Sequence, residues 1–345
     1  MKMKLNKLPV KTTNGFQIND VEVEFNIPTF KRNTDVLIEG DLSLIQVKKE
    51  KKKGDLTSKI GLTLSAYENI QIVVPKGVNI KEPIIITYSL QKEDANISQI
   101  EIVYEENSSC DFVITTKSMD NTSCFQHLKE MITSQKNASG HLCFINQMNS
   151  DSQSFYSLEN HLYQDSDIYH TVIDLGGKTR LYNVYSDLLE EQAKHHLNTI
   201  YIGKEDSLLD FNYYVNHIGI ETESKMVVEG VLTDTSHKNF RGTIDFQKGC
   251  CKSTGEENEN CILLSDTCRS RSLPQMLCGE EDVVGAHGVS SGKVEEAKLF
   301  YLMSHGYSEK EAEKLIVMGR FLGILDSVPS QQKEEILSVI EEKLS

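Results

Sequence analysis

The chain has 345 residues, and its 51 acidic side chains outnumber 36 basic ones to give a formal net charge of −15. That balance argues against a nucleic-acid partner, since a phosphate backbone is gripped by clustered cations. No run approaches the roughly 18 consecutive apolar residues of a membrane helix, and Met1–Leu5 is basic without a following apolar segment, so no secretory signal is expected. The expectation is therefore a cytoplasmic protein whose eight cysteines are reduced thiols.

In chain order, residues 1–65 are mixed. Val21–Phe25 alternates like a half-buried strand, Asp35–Gly40 reads as another, and the lysine-rich stretch 48–53 reads as a solvated loop. From residue 66 to 290 the strand signal recurs in short β-branched runs at 70–74, 83–88, 100–104, 111–115, 198–202 and 225–229, separated by Asn, Ser, Asp and Gly. Such a series fits a sandwich, a barrel or a β-helix, and periodicity alone does not choose among them. A helical interval is expected near 188–194, and no strict internal repeat is evident.

The last 55 residues are helical. Val294, Ala297 and Tyr301 form an apolar row closed by Gly306, and Ser308 with Glu311 makes a capping box. That box opens a helix with Ala312, Leu315, Ile316 and Gly319 on one face, while Pro329 and Ser330 start a third helix bearing Ile336, Ile340 and Leu344. The bland role of these helices is to cap the last coil.

The cysteines stand at positions 110, 124, 143, 250, 251, 261, 268 and 278, and no two of them form the C-x-x-C knuckle of structural zinc and many cluster sites. Five fall within 250–278, which keeps metal binding there in view, although small buried hydrophobes are the ordinary reading.

One ordered set of motifs is more specific. It runs through Asp210, Val215-Asn216-His217, Ser224, Gly230–Asp234 and Phe240–Ile244 to Cys261–Ser265, Pro274–Leu277, His287–Gly292 and Phe300–Gly306. The order resembles the SufB/SufD family, the paired scaffold subunits of SUF iron–sulfur cluster assembly, and SufD more closely. The resemblance covers roughly 195–325, with a weaker echo at Val73–Val78. It implies a mainly β protein: a right-handed parallel β-helix followed by a C-terminal α-helical subdomain, divided as 1–65 divergent N-terminal region, 66–290 β-helix core and 291–345 helices. The helical, tryptophan-bearing amino terminus usual in SufD is missing, as this chain has no Trp.

The resemblance also implies a non-enzymatic scaffold pairing with a SufB-like subunit in a SufBCD-type complex. A SufC-type ABC ATPase would dock on the C-terminal helices around Tyr301, Leu302, Gly306, Ala312, Leu315 and Ile316. In the SufD motif the histidine faces a cysteine of SufB, where a transient iron–sulfur cluster forms at the subunit interface, and His287 occupies that position. Neutral imidazole suits it as a metal ligand or proton carrier. Gly285 replaces the thiol usual two residues earlier, and Gly288 stands where SufB has Glu. The interface cysteine of SufB falls on Glu259 here, with Cys261 two residues on, so these are the weaker metal or sulfur ligands and no cluster is expected to stay on the isolated chain. His217 and the His195-His196 pair are expected to be structural. Two other readings are a self-sufficient homodimeric SufB-like scaffold of a two-component system and a β-helix carbohydrate-active enzyme, the latter without a distinctive carboxylate constellation to support it.

Overall fold

The computed structural model describes residues 2–12, 14–25, 35–91 and 94–344. Two nine-stranded sheets dominate, and the chain alternates between them, so from Ala95–Tyr104 onward each strand pairs with the one two places earlier rather than with its neighbour in sequence. The pairings from Ile70↔Ile100 onward are parallel, which makes the body a parallel β-helix of two facing sheets. The step between coils is 30 residues at Ile70↔Ile100, 26 at Gln153↔Thr179 and 32 at His237↔Arg269. A coil length that wanders by several residues hides the repeat from sequence comparison.

Inward-facing positions alternate along every strand. They build a continuous core containing Ile72, Ile102, Phe112, Phe144, Tyr182, Phe211, Val228 and Ile244, and each large apolar side chain removed from water contributes about 1.5–3 kcal/mol. Aromatic rings stack across the two sheets, as for Phe144 on Tyr156 at 4.1 Å, and between coils, as for Tyr182 on Phe211 at 5.0 Å.

The turns stack as well. Asn107, Asn137, Asp165, Gln192, Glu221 and Lys252 all have φ between +55° and +60°. Their N–H groups donate to carbonyls of the following coil, for example Asn107 to Lys136 and Gln192 to Ile220. This column overturns the helical interval expected at 188–194. Leu188 ends one strand, Lys194 begins the next, and Gln192 is left-handed between them. The apolar and polar residues there have helical spacing, but a ladder of turn hydrogen bonds outweighs that weak local preference.

The lysine-rich stretch is likewise no loop. It lies within the strand Gln46–Thr57, which pairs antiparallel with Thr63–Val74 and forms the free edge of one sheet. Five lysines within six residues of an edge strand discourage further pairing there. Asp35–Glu39 closes the other sheet, also antiparallel. Near the amino terminus, Lys2–Leu5 and Val21–Glu24 pair with each other. They lie over the outer face of one sheet, where Leu5, Val21, Val23 and Phe25 pack with Phe125, Phe155 and Leu181. A buried Arg241–Asp210 ion pair fixes this arm: Asp210 accepts from Asn6 at 2.7 Å and Arg241 donates to the Ile18 carbonyl at 3.1 Å.

Three helices complete the chain: α1 (Glu296–Ser304), α2 (Glu309–Leu325) and α3 (Ser330–Lys343). The Ser308/Glu311 capping box forms as expected, and Gly306 follows α1 with φ +96°. The helices do not cap the last coil. Val317, Phe321, Ile324, Ile336 and Ile340 pack instead on Val113, Ile145, Ile173, Ile200 and Val231, the outer face of the second sheet. That face is apolar and needs a cover, whereas the end of the solenoid is left bare. Among the described residues no helix is long and apolar enough to cross a membrane.

Candidate functional site at the open end of the solenoid

Parallel register carries each side chain into a column, and the columns change character toward the carboxyl end. One inward column reads Leu142, His170, Leu197, Met226, Glu257, His287; the next reads Phe144, Val172, Thr199, Val228, Glu259, Val289; a third reads Asn146, Asp174, Tyr201, Gly230, Cys261, Ser291. In the last two coils Glu257 and Glu259 thus follow Met226 and Val228, and His287 and Cys261 join them on the same inward face.

His287 lies on the terminal strand Val284–Gly292, whose residues are almost all exposed because no coil follows. It shares a face with Glu257 and is displayed at the solenoid mouth. Glu257 is fully buried and neither carboxyl oxygen has a hydrogen-bond partner. Its carboxyl sits directly on the backbone of Gly242, where a Cβ would leave it no room. Burial, reinforced by the charge of Glu259, pushes it up to about 8, so it is a neutral acid at neutral pH.

Glu259 and Cys261 are both buried and face inward, as two residues along one strand must. Glu259 is held in an ion pair by Lys238, itself buried, and accepts from the Tyr201 hydroxyl at 3.2 Å. Lys238 also donates to Ser272 Oγ at 2.8 Å. Tyr201 reaches Glu259 because Gly230 stands between the coils; a Cβ there would fall inside the phenol ring. The Cys261 thiol is pushed up by burial, with the Lys238 charge only partly opposing this, so it is a thiol rather than a nucleophilic thiolate. It borders a pocket of about 180 Å³ together with Lys293 and Arg320.

The structure thus places Glu259 and Cys261 on the same inward face under Val289 and Ser291, puts Glu257 rather than either of them beneath His287, and adds Lys238 and Tyr201; Glu257, Lys238 and Tyr201 are residues that sequence reading missed. Glu257 had a readable signal, since Gly255, Glu257, Glu259 and Cys261 alternate in phase with a thiol. Lys238 and Tyr201 had none, because only coil register brings them there. Among the described residues, no three His, Cys, Asp or Glu side chains are placed to hold a metal ion together. The eight cysteines are free; six are buried, Cys251 is half-buried and Cys278 is exposed. His217 is bound by Thr222 and Ser224, and His195 by Asn160, inside the body. His196 stacks on Tyr169 at 4.2 Å.

Of the residues singled out on the helices, Tyr301 and Leu315 are 61% and 43% exposed, Gly306 is exposed, Leu302 and Ile316 are half-buried, and Ala312 is buried. Phe300, at 74%, is the most exposed of the large apolar side chains among the described residues and follows directly before Tyr301.

Comparison with known proteins adds three findings. The family described as SUF system FeS cluster assembly, SufBD core domain, matches residues 87–320. The chain is 26% identical over 278 residues to the iron–sulfur cluster assembly protein SufD of Bacillus subtilis, covering 79% of this chain and 63% of that protein. It is 21% identical over 184 residues to SufD of Escherichia coli, covering 53% and 44%, and 28% identical over 179 residues to a SufBD family protein of Pyrococcus horikoshii, covering 52% and 40%. The chain therefore spans less than two thirds of the length of these curated relatives.

Proposed function

Since the chain belongs to the SufB/SufD core family of the SUF iron–sulfur cluster assembly system, we propose that it is a SufD-like, non-enzymatic scaffold subunit. It pairs through its open carboxyl-terminal strands with a SufB-like subunit, and an iron–sulfur cluster forms as cargo at the junction. The observation that carries this reading is His287, exposed on the one end of the solenoid that lacks a protective strand. An imidazole there supplies one ligand or one proton carrier, and the remaining ligands come from the partner. The buried thiol state of Cys261 and the engagement of Glu259 by Lys238 support a subunit that does not assemble a cluster alone. A SufC-type ATPase docks on the exposed apolar face of α1 and α2, where Phe300, Tyr301, Met303, Leu315 and Leu322 meet solvent.

Anaerobic co-purification from the native cell tests the assembly. A second β-helix subunit together with an ABC ATPase is the expected result; the ATPase alone would favour the homodimeric scaffold and overturn the pairing. His287→Ala tests the site. It opens no cavity, so its circular dichroism and melting temperature should match those of the wild type, while iron–sulfur enzyme activities in the cell fall. Normal activities at normal expression would remove His287 from the site.

A further inference from the structure

On the outer face of the last coil, away from His287, the amino-terminal arm and the sheet enclose a cleft of about 660 Å³. Its arm side includes Lys4, Gln17 and two acids, and its sheet side includes His237, Arg269 and Arg271. The charges on the two walls are not balanced in the same way. Asp20 is neutralised by Lys4 at 3.3 Å and Glu22 by Lys2, so the arm's acids are already paired. Among the described residues, neither Arg269 nor Arg271 has a side-chain hydrogen bond or ion pair, and both are exposed.

The strand geometry aligns these cations. Arg269 and Arg271 alternate on one face, about 6–7 Å apart along the strand, and His237 is the cross-strand partner of Arg269. Burial first, and then the two guanidinium charges, hold the His237 imidazole below its usual range. The two guanidiniums, gathered without a counter-charge, repel each other, and they do so in a chain whose overall charge is −15. An arrangement that keeps uncompensated guanidiniums at the mouth of a polar cleft matches an anion with two adjacent charged groups, since each guanidinium offers paired N–H donors that fit phosphoryl oxygens. The volume lies in the range of small-molecule sites.

We propose that this cleft binds a small polyanion of the pyrophosphate class, with Arg269 and Arg271 each holding one phosphoryl group and Gln17 facing them from the arm. Both arginines lie on the edge strand Arg269–Cys278, which the scaffold reading also gives to the partner subunit, but the site uses neither His287 nor any partner residue and is tested on the chain alone, so its fate does not decide that reading.

Calorimetric titration of the full chain at low ionic strength tests it with inorganic pyrophosphate, inorganic phosphate and citrate as probes. Pyrophosphate should bind at one site per chain, at least tenfold more tightly than phosphate or citrate. Arg269→Gln/Arg271→Gln should weaken pyrophosphate binding at least tenfold with an unchanged melting temperature. Arg271→Lys, which keeps the charge but not the paired donors, should fall between. A Lys225→Gln/Lys252→Gln variant, removing equal charge elsewhere on the solenoid, should bind like the wild type. Equal binding by the arginine double variant would overturn the proposal. So would a loss matched by the lysine variant, which would mean bulk electrostatics, or citrate binding as tightly as pyrophosphate, which would mean a carboxylate site.

Discussion

At Gly230 the chain forgoes a side chain so that the Tyr201 phenol can cross from one coil toward Glu259 and Cys261. Gly230→Ala would drive a methyl into that ring, and overpacking of this kind costs about 1–3 kcal/mol. The expected outcome is a lower denaturant midpoint with an unchanged slope; a midpoint equal to that of the wild type would mean that Tyr201 moves aside freely. His217 supports a second prediction at this scale. It is buried between Thr222 and Ser224 at 2.7 and 2.8 Å, and burial pulls its imidazole down to about 3. Below pH 6.5 the unfolded chain takes up a proton there that the native state refuses, so the contribution of His217 to stability is present above the unfolded value and lost as pH falls toward 3. The stability advantage of wild type over His217→Asn should therefore shrink on acidification, by up to about 1.4 kcal/mol per pH unit. Parallel pH curves for the two proteins, measured by urea unfolding, would contradict this. Comparison with the variant is needed because Glu130 and Glu257, raised to about 7 and about 8, carry the opposite sign.

The C-terminal helices carry one set of apolar side chains buried on the sheet and another that meets solvent. Phe321 is buried against the sheet, whereas Phe300 and Tyr301 point into solvent. Phe321→Ala should cost about 3–5 kcal/mol, as large aromatic deletions in cores do. Phe300→Asp/Tyr301→Asp should leave the melting temperature nearly unchanged and abolish capture of the ATPase. Thermal unfolding and pull-down read the two outcomes, and capture that survives the double substitution would move the docking face elsewhere. Removing the helices altogether is a poorer experiment, because it would bare Ile145, Ile173, Ile200 and Val231 and invite aggregation. The helices, their capping box and the third-helix residues Ile336 and Ile340 were legible in the sequence, since each rests on spacing within a few turns. Which surface they cover was not, because it depends on the outward residues of strands as far away as Val113 and Ile145.

For the molecule as a whole, the two ends of the solenoid differ. The amino-terminal end is closed by antiparallel strands, one of them rich in lysine, while Arg269–Cys278 and Val284–Gly292 leave free parallel edges at the other. Val284 N–H donates inward to Ser253 at 3.0 Å, so strand alternation turns Val289 N–H toward the free edge. Val289→Pro should then remove an edge donor without breaking a bond inside the solenoid, as edge strands tolerate proline. The folded chain should remain, with pairing to a second β-helix subunit lost in size-exclusion chromatography with light scattering. Pairing at wild-type strength would place the interface elsewhere.

By itself the sequence determined the family, the succession of β-branched strands, the helical tail and the prominence of His287, because motifs, propensity and capping are written in residues close together along the chain. Only the tertiary structure decided the turn at Gln192, the lysine-rich edge strand, the helices' place on a sheet face and the meeting of Tyr201, Lys238, Glu257, Glu259 and Cys261. Each of these depends on coil register, and register is set by inward packing and turn hydrogen bonds across steps of 26 to 32 residues, a distance over which no local pattern in the chain carries the information.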